Sequence, residues 1–177
     1  MMMEIIASPI INSYWVIPGR FKAGEHPGIF TEVKTRQRLQ WLFETGIDFI
    51  IDLTESSITG MDYSACIIDS AAIFSRQVIY KRIPVQDFGT PTYERMVAIL
   101  DLLDSALTEG KNVYLHCYAG MGRTGLVVGC FLVRHGVPGA EALDRIQELR
   151  NEITVKPQLS PETDEQRRMV KEWTKGR

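Results

Sequence analysis

Residues His116-Cys117-Tyr118-Ala119-Gly120-Met121-Gly122-Arg123-Thr124 place a thiol and a guanidinium six positions apart with two glycines between them. A cysteine attacks as its thiolate, and an arginine offers a planar fork of N–H donors matched to two oxygens of a tetrahedral oxyanion. Gly120 and Gly122 allow the backbone between them to turn its N–H groups toward a common centre without a Cβ clash. Asn112-Val113-Tyr114-Leu115-His116 predicts a short buried strand running straight into Cys117. Thr124 to His135, with Leu126, Val127, Val128, Phe131 and Leu132, predicts an apolar helix closed by Gly136. Such a strand–loop–helix unit aims the positive end of the helix at the loop. One device then binds a dianion and favours the thiolate that attacks it.

The remaining elements must position this loop. Ser13 to Gly28 reads as short strands joined by turns, with Pro18, Gly19, Gly24, Pro27 and Gly28 as the punctuation. Thr31 to Glu44 predicts an amphipathic helix with Val33, Leu39, Leu42 and Phe43 toward the core, stopped by Gly46. Phe49-Ile50-Ile51-Asp52-Leu53 is a continuous apolar run of the kind a buried parallel strand shows. Residues 63–75 carry an ambiguous helical pattern, and Val78 to Val85 reads as a further strand. Pro91 to Leu107 predicts a helix, with Pro91 in its first turn and Met96, Ile99, Leu100, Leu103 and Leu107 on one face. Two more helices are expected near Gly139–Arg150 and Pro161–Lys175. Strands alternating with helices imply a single α/β domain with a central, mostly parallel sheet of four to five strands flanked by helices. In such sheets the working site lies beyond the carboxyl ends of the strands, where Cys117 falls.

Composition bounds the function. A chain of 177 residues reads as one domain over 1–177, and 45% hydrophobic with 24% charged residues is ordinary for a globular protein. A net charge of -2 argues against general affinity for nucleic acid or anionic membrane. No apolar stretch reaches the length of a bilayer span. Met1-Met2-Met3-Glu4-Ile5-Ile6 has no basic region before an apolar run, so no secretory signal is expected. Three cysteines without metal-like pairing fit a reducing, cytoplasmic setting, and nothing in the pattern asks for a cofactor or metal. Trp15, Trp41 and Trp173 read as packing residues, and Cys66 and Cys130 as core residues.

The segment 116–124 resembles the cysteine-dependent superfamily of protein tyrosine and dual-specificity phosphatases, whose signature H-C-x-x-G-x-x-R-[ST] it matches at every fixed position. The resemblance implies that Cys117 attacks phosphorus to give a phosphocysteine, that Arg123 binds the equatorial oxygens, and that Thr124 hydrogen-bonds the sulfur as it leaves. It implies that His116 holds the loop, while backbone amides of Tyr118, Ala119, Gly120, Met121, Gly122 and Arg123 line the cradle. The family keeps a general acid on a loop about thirty residues before the cysteine. Here Ile83-Pro84-Val85-Gln86-Asp87-Phe88-Gly89-Thr90-Pro91 fits, with Asp87 as the acid; Asp101 and Asp104 lie on a predicted helix and are expected to be solvated. Ile17 to Gly24 looks like the first strand of compact dual-specificity-type domains, and Ile51-Asp52-Leu53-Thr54 resembles a structural strand end there. Thr163-Asp164-Glu165-Gln166 is similar to the glutamine loop that positions water in tyrosine-specific members, although a helix start is the simpler reading.

Val85 and Gln86 stand where tyrosine-specific members carry a tryptophan and a proline, which favours the compact dual-specificity branch. Lipid phosphatases of the family tend to carry lysines inside the loop; Tyr118, Ala119 and Met121 add no charge. A phosphorylated protein or peptide, phosphotyrosine first and phosphoserine/threonine second, is therefore the expected substrate. The alternatives are a phosphoinositide or small phosphorylated metabolite, a rhodanese-like sulfurtransferase, and a phosphate-reading module without catalysis. Family members that protect their nucleophile with an upstream cysteine make a Cys66–Cys117 disulfide a further hypothesis. The sequence carries no signal for an oligomeric state.

Overall fold

The computed structural model describes residues 8–28, 31–56, 62–151, 153, 159–174 and 176. Residues 1–7, which carry the expectation of no secretory signal, lie outside them, as does Lys175 at the expected end of the last helix. The elements run β1 (Ser13–Ile17), β2 (Phe21–Gly24), α1 (Glu32–Glu44), β3 (Phe49–Asp52), α2 (Ser64–Ala72), β4 (Ile79–Arg82), α3 (Tyr93–Thr108), β5 (Val113–His116), α4 (Gly122–Arg134), α5 (Gly139–Leu149) and α6 (Asp164–Glu172). The strands form one sheet in the order β1-β2-β5-β3-β4. β1 and β2 pair antiparallel, and every other pairing is parallel.

Successive strand residues point to opposite faces, and this sorts the core into two halves. Phe21, Ala23, Phe49, Ile51, Val113 and Leu115 pack with buried residues of α3, α4, α5 and α6. Ile50 and Tyr114 face the other way, against Leu39, Leu42 and Phe43 of α1 and Cys66 and Ile67 of α2. β5 lies between β2 and β3, so its last residue opens onto the middle of the sheet, with helices covering both faces. Being buried on both faces is why Val113 to His116 reads as an unbroken run instead of an alternating one.

Several boundaries depart from the sequence reading, and local hydrogen bonding explains each. Pro91 and Pro161 are not first-turn residues: Thr92 and Thr163 cap α3 and α6, their side chains accepting from Arg95 N–H and Gln166 N–H. A hydroxyl acceptor at the cap satisfies a free first-turn N–H, which a proline ring cannot do. α4 starts at Gly122, so Arg123 and Thr124 both belong to its first turn. β4 ends at Arg82, and the chain continues as extended backbone whose Ile83 and Val85 N–H groups donate to Asp52 and Leu53. Val33 is 67% exposed, because the buried stripe of α1 runs through Thr35, Arg38, Leu39, Leu42 and Phe43 instead. The ambiguous 63–75 stretch is helical over Ser64–Ala72.

The tryptophans pack as expected. Trp173 is buried and stacks on Tyr93 with ring centroids 5.4 Å apart, and Trp15 and Trp41 flank the Lys22 ammonium at 4.7 and 5.0 Å. Cys66 and Cys117 belong to core clusters on opposite faces of the sheet, and Cys66, Cys117 and Cys130 are all free thiols. Burial pushes the Cys130 thiol up. Among the described residues no helix is long and apolar enough to cross a membrane.

Candidate active site

Cys117 follows β5 directly and is 3% exposed. The five carbonyl groups from Cys117 to Met121 are each held by a donor outside the concave side of the loop. The Cys117 carbonyl accepts from His116 Nδ1 at 2.9 Å, Tyr118 from His26 N–H at 2.9 Å, and Ala119 from Asn12 Nδ2. The Gly120 carbonyl accepts from Arg150 Nη1 at 3.0 Å, and Met121 from Ser160 Oγ at 2.8 Å. A trans peptide is planar, with its N–H opposite its C=O. Turning these five carbonyls outward therefore turns the N–H groups of Tyr118, Ala119, Gly120, Met121 and Gly122 inward. Gly120 N–H lies 3.3 Å from Cys117 Sγ, which fixes that sense directly.

The loop needs one glycine absolutely. Gly120 has φ +73, and a Cβ there would sit 2.5 Å from both the Glu25 nitrogen and the Gly24 carbonyl carbon. Only a residue without a side chain allows β2's exit and the loop to approach this closely. Gly122 is different: it meets Glu162 and Gln166 side-chain atoms only at 3.1 to 3.3 Å and has an ordinary helical backbone.

His116 is fully buried, and burial pushes its pKa down to about 4, so the ring is neutral near pH 7. A carbonyl can only accept, so Nδ1 carries the proton toward Cys117 and Nε2 accepts from the Tyr63 hydroxyl at 2.5 Å. Burial likewise raises the Tyr63 phenol far from ionisation, which keeps it a donor. Asp52, at the end of β3, lies 3.9 Å from His116 Nε2. Burial opposes its carboxylate, but His116 and the donors from Thr54 and Tyr80 outweigh that and hold its pKa at about 2. Thr54 N–H and hydroxyl, Tyr80 hydroxyl and Arg82 Nε all donate to it, so the buried charge is fully partnered.

Arg123 is 2% exposed, with its side chain directed from the first turn of α4 toward the 83–91 loop. Nη1 donates to the Val85 carbonyl at 3.0 Å, and Nη2 pairs with Asp87 Oδ1 at 2.9 Å. Asp87 is half-exposed and sits in a turn closed by Gly89 N–H to the Gln86 carbonyl at 3.1 Å. Phe88 occupies that turn with φ +57 and is 60% exposed. Thr124 Oγ1 accepts from Cys117 N–H at 2.9 Å and donates to the Gly24 carbonyl at 3.3 Å. The resemblance directs that hydroxyl to the sulfur; here it ties the two ends of the loop to β2.

The structure thus brings together Cys117, Arg123, Thr124, His116, the whole 118–122 segment and Asp87. Tyr118 stands at the rim, 52% exposed. Asp101 and Asp104 pair with Arg134, and Asp104 also with His135. Gln166 is fully buried and forms a capping box with Thr163, so the helix-start reading describes its local structure. The residues that sequence reasoning does not find are the outer donors Asn12, His26, Arg150 and Ser160, together with Tyr63. Only Asp52 left a trace, as an acid within an apolar run. Among the described residues no cluster of three or more His, Cys, Asp or Glu side chains could hold a metal.

Comparison with known proteins agrees with this geometry. Protein MJECL20, an uncharacterized protein of Methanocaldococcus jannaschii, is 33% identical over 95 residues, 54% of this chain and 59% of its own length. Human cyclin-dependent kinase inhibitor 3 is 32% identical over 69 residues, 38% of this chain and 32% of its own length. The matches thus span less than two thirds of these relatives. The crystal structure of Tk-PTP in the active form superposes with a TM-score of 0.70 at 25% identity, covering 92% of this chain and 95% of that one. Residues 27–137 match the family described as Tc-R-P, polymorphic toxin system, DSP-PTPase phosphatase. That stretch is well over half of the chain and contains Asp87, Cys117 and Arg123, so this protein belongs to the Tc-R-P family of DSP-PTPase phosphatases.

Proposed function

We propose that residues 1–177 form a single catalytic domain that hydrolyses phosphomonoesters through a phosphocysteine. The observation that carries the reading is the convergence of one sulfur, five inward N–H groups and the Arg123 fork on a site that also holds Asp87 on the same guanidinium. Preorganised donors of this kind stabilise the charge that develops on transferring phosphoryl oxygens. The Cys117 thiolate attacks phosphorus as the P–O bond to the leaving group breaks, and Asp87 gives its proton to the departing oxygen. A water then attacks phosphorus, Asp87 takes its proton, and the S–P bond breaks to regenerate the thiolate and release inorganic phosphate. Neutral His116 holds the first loop carbonyl and takes no proton. Thr124 joins the Cys117 N–H to β2, next to the leaving sulfur.

The substrate that fits is a phosphorylated protein or peptide, phosphotyrosine before phosphoserine or phosphothreonine. The nucleophile is deep, the loop side chains add no cation, and Tyr118 and Phe88 present apolar rings at the rim. A sulfurtransferase has no use for a carboxylate held on the anion-binding arginine. Cys117→Ser should abolish hydrolysis of an aryl phosphate while inorganic phosphate still binds. Wild type quenched in acid during turnover should carry one phosphoryl group on Cys117. Turnover that survives in Cys117→Ser would overturn the mechanism. A panel of phosphotyrosine and phosphoserine/threonine peptides with inositol phosphates tests the substrate class.

A further inference from the structure

Gln166 lies at the start of α6, yet its side chain is fully buried and joined to the acid loop. Oε1 accepts from Glu162 N–H and Thr163 N–H, both at 3.1 Å, and Nε2 donates to the Gly89 carbonyl at 3.0 Å. The partners fix the amide orientation: a flipped amide would set N–H against N–H and carbonyl against carbonyl. Both acceptor positions are thereby used by backbone. Gly89 closes the turn that carries Asp87. The other ties on this side are long and exposed, Thr163 Oγ1 to the Phe88 carbonyl and Thr90 Oγ1 to Glu165, each at 3.5 Å. On the opposite side Arg123 holds Val85 and Asp87 itself.

These contacts give the two anchors different fates during a reaction. An incoming phosphoryl group competes with Asp87 for Arg123, because both are anions seeking the same Nη2. Once that pair opens, the Gln166–Gly89 bond is the buried side-chain tie that still holds the turn, beside the exposed bonds of Asp87 N–H to Glu55 at 3.2 Å and of Arg95 Nε to the Pro84 carbonyl at 3.1 Å. We infer that Gln166 is a positioning residue for the general acid: it suspends the Asp87 turn over Cys117 while Arg123 is occupied by substrate. This role rests on the phosphatase reading and differs from holding the attacking water, since Oε1 is already saturated by backbone donors.

Gln166→Glu isolates the tether. A carboxylate still accepts from Glu162 and Thr163, so the capping box survives, but it cannot donate to the Gly89 carbonyl. Gln166→Met removes the same donor without adding charge, though it also removes the capping-box acceptor, and so guards against a direct effect of a new carboxylate on anion binding. The readouts are the dependence of kcat/KM on leaving-group pKa across a series of aryl phosphates, and hydrogen exchange at Gly89 N–H. A displaced acid hurts poor leaving groups selectively, so the loss for phenyl phosphate should exceed that for 4-nitrophenyl phosphate by roughly tenfold in both variants. Gly89 N–H should exchange faster in both. A leaving-group dependence parallel to wild type, or unchanged Gly89 exchange, would overturn the assignment. If wild type turns over no aryl phosphate, the phosphatase reading falls, and Gly89 exchange alone then decides whether the tether exists.

Discussion

The anion loop and the acid loop face the same small volume but are built in opposite ways. Residues 117–121 have every carbonyl tied to a donor, His116 for the first and distant segments for the other four, and Cys117 and Gly120 are buried. The 84–90 loop is exposed along most of its length and leans on Arg123, Glu55 and the start of α6. A cradle gains from rigidity, because donors aimed in advance need not reorganise as charge develops. The acid role proposed for Asp87 requires it to leave Arg123 when substrate arrives, and such a role gains from a short, partly free turn. The difference implies that damage to the first loop costs binding and chemistry together, whereas damage to the second costs chemistry in proportion to how badly the leaving group needs a proton.

Arg123→Lys should give the largest effect. Lysine cannot serve Val85, Asp87 and two phosphoryl oxygens in one plane, and kcat/KM should fall on the order of 10³-fold for good and poor leaving groups alike. Phosphate affinity should fall with it. A loss confined to poor leaving groups would place Arg123 with the acid loop and erase the contrast. Gly120→Ala should be next, about 3 kcal/mol less stable, because a left-handed backbone and a 2.5 Å contact with Gly24 and Glu25 coincide there. Urea unfolding measures it; a loss within error would mean that the two segments can separate and the cradle is looser than its hydrogen bonds imply.

Asp87→Asn should behave in the reverse manner. Turnover of phenyl phosphate should fall on the order of 10²-fold, with a smaller loss for a nitrophenyl ester that departs without help. Phosphate should bind at least as tightly, because the carboxylate that competes for Arg123 has gone. Equal losses across the leaving-group series would remove Asp87 from the role of acid.

The same contrast explains what the sequence discloses. The anion loop is local: nine consecutive residues carry the proposed nucleophile, the guanidinium and the glycine that the turn requires, so the chemistry proposed for it is legible without a fold. The sheet is legible because Phe49–Asp52 and Val113–His116 are buried on both faces and read as unbroken apolar runs. What rigidifies the loop is not legible. Asn12, His26, Arg150 and Ser160 reach it from distant segments, and each is an ordinary polar residue in its own neighbourhood. Gln166 is a hybrid: the capping box shows in the spacing Thr163 to Gln166, while its hold on Gly89 spans 77 positions. Val33 misled because α1 buries a stripe containing Thr35 and Arg38, the latter pairing with Glu25 beneath the loop, so polarity did not mark the outer face.

The smallest effect expected is in pH dependence, and it belongs to the anion loop alone. Burial holds His116 at about 4, below the ordinary histidine value, so the native state resists a proton that the unfolded chain accepts readily. The unfolded state binds more protons between about pH 6.5 and pH 4, so this group costs stability as pH falls through that window and is neutral in effect above it. Burial pushes His26 in the same direction. Asp52 acts lower, since its carboxylate at about 2 withdraws support only below its ordinary value of 3.8. Unfolding free energy measured by urea should therefore drop by about 1 kcal/mol per pH unit from pH 6.5 to pH 5. His116→Asn should flatten that slope while Asp87→Asn leaves it in place. His26 leaves a residual slope of the same sign, so the decisive result is a slope undiminished in His116→Asn, which would mean the neutral imidazole is not what the loop is built around and the rigidity of the cradle would have to come from its other four outer donors.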